Sequence, residues 1–137
     1  MRSARISVFL QLVWSTWDRL PLLEEQWARD VYRVIGAKCA ELRAAPIAIG
    51  GIEDHVHLLV ALPATLCIAD LAGQVKGASA HFMTHQLAPG SSFRWQGAYA
   101  AFSLAAADVP RVSAYIARQR EHHAAGTVMA QWEMEGE

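Results

Sequence analysis

Ile52-Glu53-Asp54-His55-Val56-His57-Leu58-Leu59-Val60 alternates two chemistries along its second half. Successive side chains of a strand point to opposite sides of the sheet, so His55 and His57 share one face while Val56, Leu58 and Val60 take the other. A core can hold the aliphatic side, which leaves the imidazole side open to chemistry. Just upstream, residues 46–51 read as a second strand. Glu53-Asp54 between the two is turn-like, so the pair is expected to form an antiparallel hairpin, with Pro63 closing its second strand.

Working outward, residues 6–17 are rich in β-branched and aromatic types and predict a long first strand, ended by Pro21. Residues 24–43 predict a helix, because Trp27, Val31, Val34, Ile35, Cys39 and Leu42 recur at spacings of three and four. Residues 68–87 predict another, with Leu71, Val75, Ala78 and Phe82 on one stripe. After the loop-like Pro89-Gly90-Ser91-Ser92, residues 99–105 alternate weakly and read as a strand. Asp108 can cap a third helix, with Pro110 in its first turn and Gly126 past its end. The order β-α-β-β-α-β-α predicts an α+β fold, a ferredoxin-like antiparallel sheet with helices packed on one face.

The bulk properties bound the possibilities. A chain of 137 residues can build one sizeable core, and no linker, repeat or low-complexity tract divides it, so a single domain over 1–137 is expected. With 53% hydrophobic and 18% charged residues, the composition is that of a folded protein. No apolar run reaches the length of a membrane span. Met1-Arg2-Ser3-Ala4-Arg5 leads into a mixed segment, not a signal-peptide core, and the expectation is a cytoplasmic protein. Cys39 and Cys67 show no metal-binding spacing and are expected to be buried thiols. A formal net charge of −1 argues against a broad polycationic face of the kind that binds nucleic acid. Between residues 71 and 120, however, Lys76, Arg94, Arg111, Arg118 and Arg120 stand against Asp108 alone, while Glu133, Glu135 and Glu137 crowd the tail. A local basic surface is therefore allowed.

The candidate site residues each have two readings. His55 and His57 could be half-exposed strand histidines, which is the simpler account of the tripeptide alone. They could instead meet one cation, since alternate strand Cβ atoms lie about 6.5–7 Å apart and imidazoles converging from there reach an ion at about 2.1 Å. The aliphatic opposite face favours the cation. Tyr115 and Gln119 are four apart on the predicted third helix, hence neighbours on one side. Gln119 offers a carbonyl oxygen suited to Mg²⁺ or Mn²⁺. Tyr115 offers a phenol with a pKa of about 10, a poor nucleophile until it is assisted. On spacing alone, a packing tyrosine and a solvated glutamine are the simpler account. His122-His123 fit a further ligand, a phosphate contact or, most simply, the polar end of a helix. Lys76, Arg94, Arg118 and Arg120 are candidate phosphate contacts or ordinary solvated charges. Trp95 and Phe93, beside Arg94, are candidate base-stacking residues or core. Trp14 and Trp17, three apart on the first strand, are expected to face opposite sides.

Taken in order, several segments carry a resemblance. They are Val13-Trp14-Ser15-Thr16, His55-Val56-His57-Leu58-Leu59-Val60, and Val75-Lys76-Gly77 with Ser79. Phe93-Arg94-Trp95-Gln96-Gly97-Ala98-Tyr99-Ala100-Ala101-Phe102-Ser103 follows, then Tyr115-Ile116-Ala117-Arg118-Gln119 with His122-His123. Together they resemble the single-tyrosine HUH transposases of the smallest bacterial insertion sequences, a group that includes the REP-associated tyrosine transposases. The resemblance covers nearly the whole chain.

What the resemblance implies is a transposase that cleaves and rejoins single-stranded DNA through a 5′-phosphotyrosine, at element ends folded into imperfect hairpins. It implies Tyr115, on the C-terminal helix, as the nucleophile. It implies His55, His57 and Gln119 as ligands of Mg²⁺ or Mn²⁺, and the identity of the metal rests on the resemblance alone. It also implies a homodimer in which the tyrosine helix of one subunit completes the partner's site. No nucleotide cofactor is implied, because the phosphotyrosine conserves the bond energy. Two stretches depart from the family pattern. Ala98-Tyr99-Ala100 stands where Gly-Tyr-Gly is usual, and Ala105-Ala106-Ala107 replaces a more polar, serine-containing stretch. The alternative is therefore a relative that binds DNA hairpins without cutting them.

Overall fold

In the computed structural model, which describes residues 4–119 together with Glu121, His123 and Gly126, seven principal elements follow one another. They are β1 (Phe9–Ser15), α1 (Glu25–Glu41), β2 (Ala45–Ile52), β3 (His55–Ala61), α2 (Ile68–Phe82), β4 (Ala100–Leu104) and α3 (Val109–Ala117). The strands lie in the order β2-β3-β1-β4, and every neighbouring pair is antiparallel. This is the split βαβ order of a ferredoxin-like sheet. The hairpin turn at Glu53-Asp54 is present, with Ile52 opposite His55.

Strand parity decides which side of the sheet each helix covers. Leu10, Leu12 and Trp14 of β1 and Val56, Leu58 and Val60 of β3 point to one side. There they meet Val31, Ile35 and Cys39 of α1 and Leu71 and Val75 of α2 in the main core. The expected packing of helices on one face holds for α1 and α2. The third helix lies on the opposite side, where Val112 and Ile116 close over Leu59 in a small separate cluster.

Several local expectations are corrected. The first strand is shorter than residues 6–17, because Ser15 is its last ladder residue and a tight turn follows at Trp17–Arg19. Trp14 is fully buried and Trp17 is 42% exposed, so they do part company, but Trp17 sits on that turn and not on the strand. The second helix is α-helical only to Phe82; Met83–Leu87 widen into a π turn, in which Ala88 N–H reaches back to the Met83 carbonyl at 2.8 Å. The third helix ends at Ala117, since Arg118 leaves helical geometry at φ −112°, ψ 28°. Asp108 occupies its N-cap position without a capping side-chain bond, because a 3₁₀ turn at Ala106–Asp108 already holds it in helical geometry; its carboxylate pairs with Arg111 at 3.4 Å. Gly126 has a positive φ, 72°. Cys39 is buried as expected, whereas Cys67 is exposed at the start of α2. Among the described residues no helix is long and apolar enough to cross a membrane. Arg120, His122, Glu133, Glu135 and Glu137 lie outside the described residues.

Candidate active site

His55 and His57 project from β3 on the side that α1 and α2 leave uncovered, and α3 closes over them. They are 1% and 0% exposed, which disposes of half-exposed surface histidines. A glycine on the neighbouring strand lets the helix approach this closely. A Cβ at Gly50 would stand 2.3 Å from the Ile116 carbonyl oxygen, so α3 rests backbone to backbone on β2. A Cβ at Gly51 would stand 2.1 Å from the His55 carbonyl oxygen, within the hairpin itself.

The approach of α3 gathers the expected residues. The Tyr115 ring lies 6.1 Å from that of His57, edge to face, and the two imidazoles are 5.0 Å apart by ring centroid. Although the helix breaks at Arg118, Gln119 stays beside Tyr115, its side-chain amide 3.5 Å from the Tyr115 carbonyl. Its side-chain oxygen lies 3.2 Å from His55 Nε2 and accepts from His123 Nε2 at 3.1 Å. Tyr115 and Gln119 are buried, at 4% and 1% exposure. Within the chain, the tyrosine helix thus lies over the histidine strand.

Two further side chains complete the group. His57 donates from Nδ1 to Gln11 Oε1 at 2.9 Å, and Gln11 is itself buried on β1. His55 donates from Nδ1 to Asp54 Oδ1 at 2.7 Å, while Arg19 Nε stands 3.7 Å from the other Asp54 oxygen. The hydrogen bond from His55 holds the Asp54 carboxyl below the usual range against the opposing effect of burial; the charges of His55, Arg19 and His123 act in the same direction.

Two imidazoles and a carboxamide oxygen, buried and in contact, are a donor set whose chemistry suits a divalent ion. Among the described residues no group of three or more His, Cys, Asp or Glu side chains forms a metal cluster. Beside the site, between α1, β2 and α3, a cleft of about 240 Å³ is lined by Tyr32, Ile49, Gly50, Ile116, Arg118 and Gln119.

The remaining predicted residues lie apart from this cluster. Lys76 Nζ donates to the carbonyls of Gln96 at 2.6 Å and Ala98 at 3.3 Å, and desolvation lowers its pKa. Trp95 is a core residue, packed edge-on to Trp14 and Phe93 and donating from Nε1 to Ser79 Oγ at 2.9 Å. Lys76 and Ser79 of α2 therefore pin the 93–98 segment. Arg94 is exposed and lies 3.9 Å over the Trp17 ring, and Arg118 is exposed beside Glu121 at 3.8 Å.

Sequence reasoning missed Gln11, Asp54 and Gly50, and of three readings of His123 it favoured the helix end. Parity held a signal for Gln11: it is a polar residue on the side of β1 that also carries Ser15, opposite Leu10, Leu12 and Trp14.

Residues 5–119 match the family model described as "Transposase IS200 like". Among solved structures the chain is similar to a crystal structure assigned as a transposase from Deinococcus radiodurans R1. That match has a TM-score of 0.66 and 23% identity over 87% of this chain and 98% of the other. It is also similar to a REP-associated tyrosine transposase bound to a REP hairpin, at TM-score 0.65 and 15% identity over 93% of this chain and 74% of that one. At these identities the two likenesses are of fold. No curated protein matches significantly.

Proposed function

Because this chain belongs to the IS200-like transposase family, we propose that it cuts and rejoins single-stranded DNA with Tyr115 as nucleophile. His55, His57 and Gln119 would hold the divalent cation, Mg²⁺ or Mn²⁺. The observation that carries this reading is the Tyr115 ring 6.1 Å from His57, on the same buried face as the Gln119 carbonyl. A phenol, two imidazoles and a carboxamide are more chemistry than packing alone asks of one side of a sheet.

When bound, the cation polarises the scissile phosphate and offsets the charge that develops there. The chain's own part is to aim the nucleophile. Tyr115 Oη bonds to phosphorus, the bond from phosphorus to the 3′ oxygen breaks, the phenolic proton passes to solvent and the leaving oxygen takes up a proton. The products are a 5′-phosphotyrosine and a free 3′-hydroxyl. Attack by a second 3′-hydroxyl reverses the step on a different strand and restores the phenol, so no nucleotide is consumed.

Arg94 and Arg118, both exposed, are the phosphate contacts in this reading. Lys76 and Trp95 serve it from within, by holding the 93–98 segment that carries Arg94. The relative bound to a REP hairpin supports hairpin-bearing single strands as the substrate form. A homodimer remains part of the proposal, with each chain carrying its own tyrosine beside its own histidines. Its place of action is the cytoplasm, where such DNA is reached.

The test is a denaturing gel after incubation with Mn²⁺ and end-labelled single-stranded DNA carrying a terminal hairpin. A protease-sensitive protein–DNA band that vanishes in Tyr115→Phe, with hairpin binding kept, is the expected result. Hairpin binding by the parent protein with no covalent band would replace this reading with that of a non-cutting hairpin binder.

A further inference from the structure

We propose that each expected cation ligand is aimed by a partner of its own: His55 by Asp54, His57 by Gln11, and Gln119 by His123. Asp54, Gln11 and His123 are thereby positioning residues of the site. The inference rests on the reading of His55, His57 and Gln119 as ligands.

A neutral imidazole carries one N–H, and the nitrogen that gives it to an acceptor leaves the other to face an ion. For His57 the acceptor is Gln11 Oε1 at 2.9 Å, with both residues at most 1% exposed, so water does not compete for the bond. That fixes Nδ1 as the protonated nitrogen. For His55 the acceptor is Asp54 Oδ1 at 2.7 Å. A carboxylate makes the ring it holds a stronger donor than a carboxamide does, so the two histidines are unequal by construction.

Asp54 is itself held. Asp18 and Arg19 lie in the left-handed region at φ 53° and 52°, a strained arrangement for two consecutive residues that are not glycine. This turn brings Arg19 Nε to 3.7 Å from the second Asp54 oxygen. The strain is concentrated where it fixes the partner of a ligand.

For Gln119 the question is which end of the carboxamide faces the histidines. Its oxygen receives His123 Nε2–H at 3.1 Å, and its nitrogen lies 3.5 Å from the Tyr115 carbonyl. A carbonyl oxygen has two lone pairs. One serves His123; the other, now facing His55 Nε2 at 3.2 Å, is the one an ion would use.

Two readouts test this, neither of them catalytic. The first is Mn²⁺ affinity of the DNA-free protein, from the electron paramagnetic resonance of free Mn²⁺. The second is the imidazole tautomer in the metal-free protein, from ¹⁵N–¹H correlation spectra. Gln11→Met and Asp54→Ala are each expected to weaken Mn²⁺ binding about ten- to a hundredfold, and His123→Ala about tenfold or less. Gln11→Met should also scramble the His57 tautomer, and Gln11→Glu, which keeps an acceptor, should restore it. Asp54 sits half-exposed in a turn, so its variant keeps the test open if Gln11→Met fails to fold. Mn²⁺ affinities within about twofold of the parent in Asp54→Ala and Gln11→Met, with binding lost in His57→Ala, would overturn the inference and leave the ligand reading standing. If His57→Ala keeps full affinity, the ligand reading falls. The tautomer then decides the aiming role alone: an unchanged His57 in Gln11→Met overturns it, and a scrambled one supports it.

Discussion

The two sides of this sheet are built by opposite rules. Under α1 and α2 the strands present Leu10, Leu12, Trp14, Val56, Leu58 and Val60, a surface that area burial alone can hold. Under α3 the same strands present Gln11, His55 and His57, each engaged by a hydrogen bond, with only a small apolar cluster around Leu59 beside them. Adjacent residues of β3 thus belong to different kinds of interior. One side holds the chain folded, and that rigidity lets the other bury polar groups in a fixed geometry. Direction and chemistry are separated by a single step along the strand.

The largest test of this contrast is Leu58→Ala. It opens a cavity in the apolar side and is expected to cost about 2–5 kcal/mol, read as a lower urea midpoint. The neighbouring Gly50→Ala acts on the other side by overpacking. Its Cβ would stand 2.3 Å from the Ile116 carbonyl, so α3 must lift, at about 1–3 kcal/mol and with loss of the Tyr115 adduct. An unchanged midpoint and full adduct would mean that α3 rests less firmly on β2 than the structure has it.

Smaller effects sharpen the picture. His57→Leu leaves the buried Gln11 without its partner, at a cost of about 1–3 kcal/mol, and the double variant with Gln11→Leu should regain most of it. Strict additivity in that double-mutant cycle would show the two residues to be independent. The mildest probe is covalent. Burial pushes the Cys39 thiol up to about 11, whereas Cys67 is exposed, so at pH 8 a disulfide reagent should label Cys67 at once and Cys39 only on opening of the apolar side. Leu58→Ala should speed the second labelling without touching the first.

What was legible in the sequence was whatever follows from short-range period. The alternation of β3, the Val31-Ile35-Cys39 stripe of α1 and the hairpin between β2 and β3 stand as expected, whereas α2 buries Leu71 and Val75 with Ala72 and Ser79 in place of Ala78 and Phe82. That His55 and His57 share a face, and that Tyr115 and Gln119 are neighbours, was legible because a strand pair two apart and a helix pair four apart are local statements; the roles proposed for them came from the resemblance. Gln11 and His57 are 46 positions apart and meet only through the β1–β3 register, which no local pattern specifies. Asp54 was hidden in its role as a turn residue. The break at Arg118 and the widening at Met83–Leu87 interrupt runs whose composition stays helical, so periodicity passed straight through both. The side chosen by α3 was hidden as well, since it depends on the missing side chain of Gly50, an absence that a search for apolar residues does not register.

The seat of α3 on its own chain also has a meaning in heredity. Where nucleophile and proposed ligands are carried by one polypeptide, two differently crippled copies made in one cell cannot assemble a working centre between them. Nor can a dead copy poison a live one by contributing a bad helix. Such a gene would carry its whole centre with it wherever it is copied.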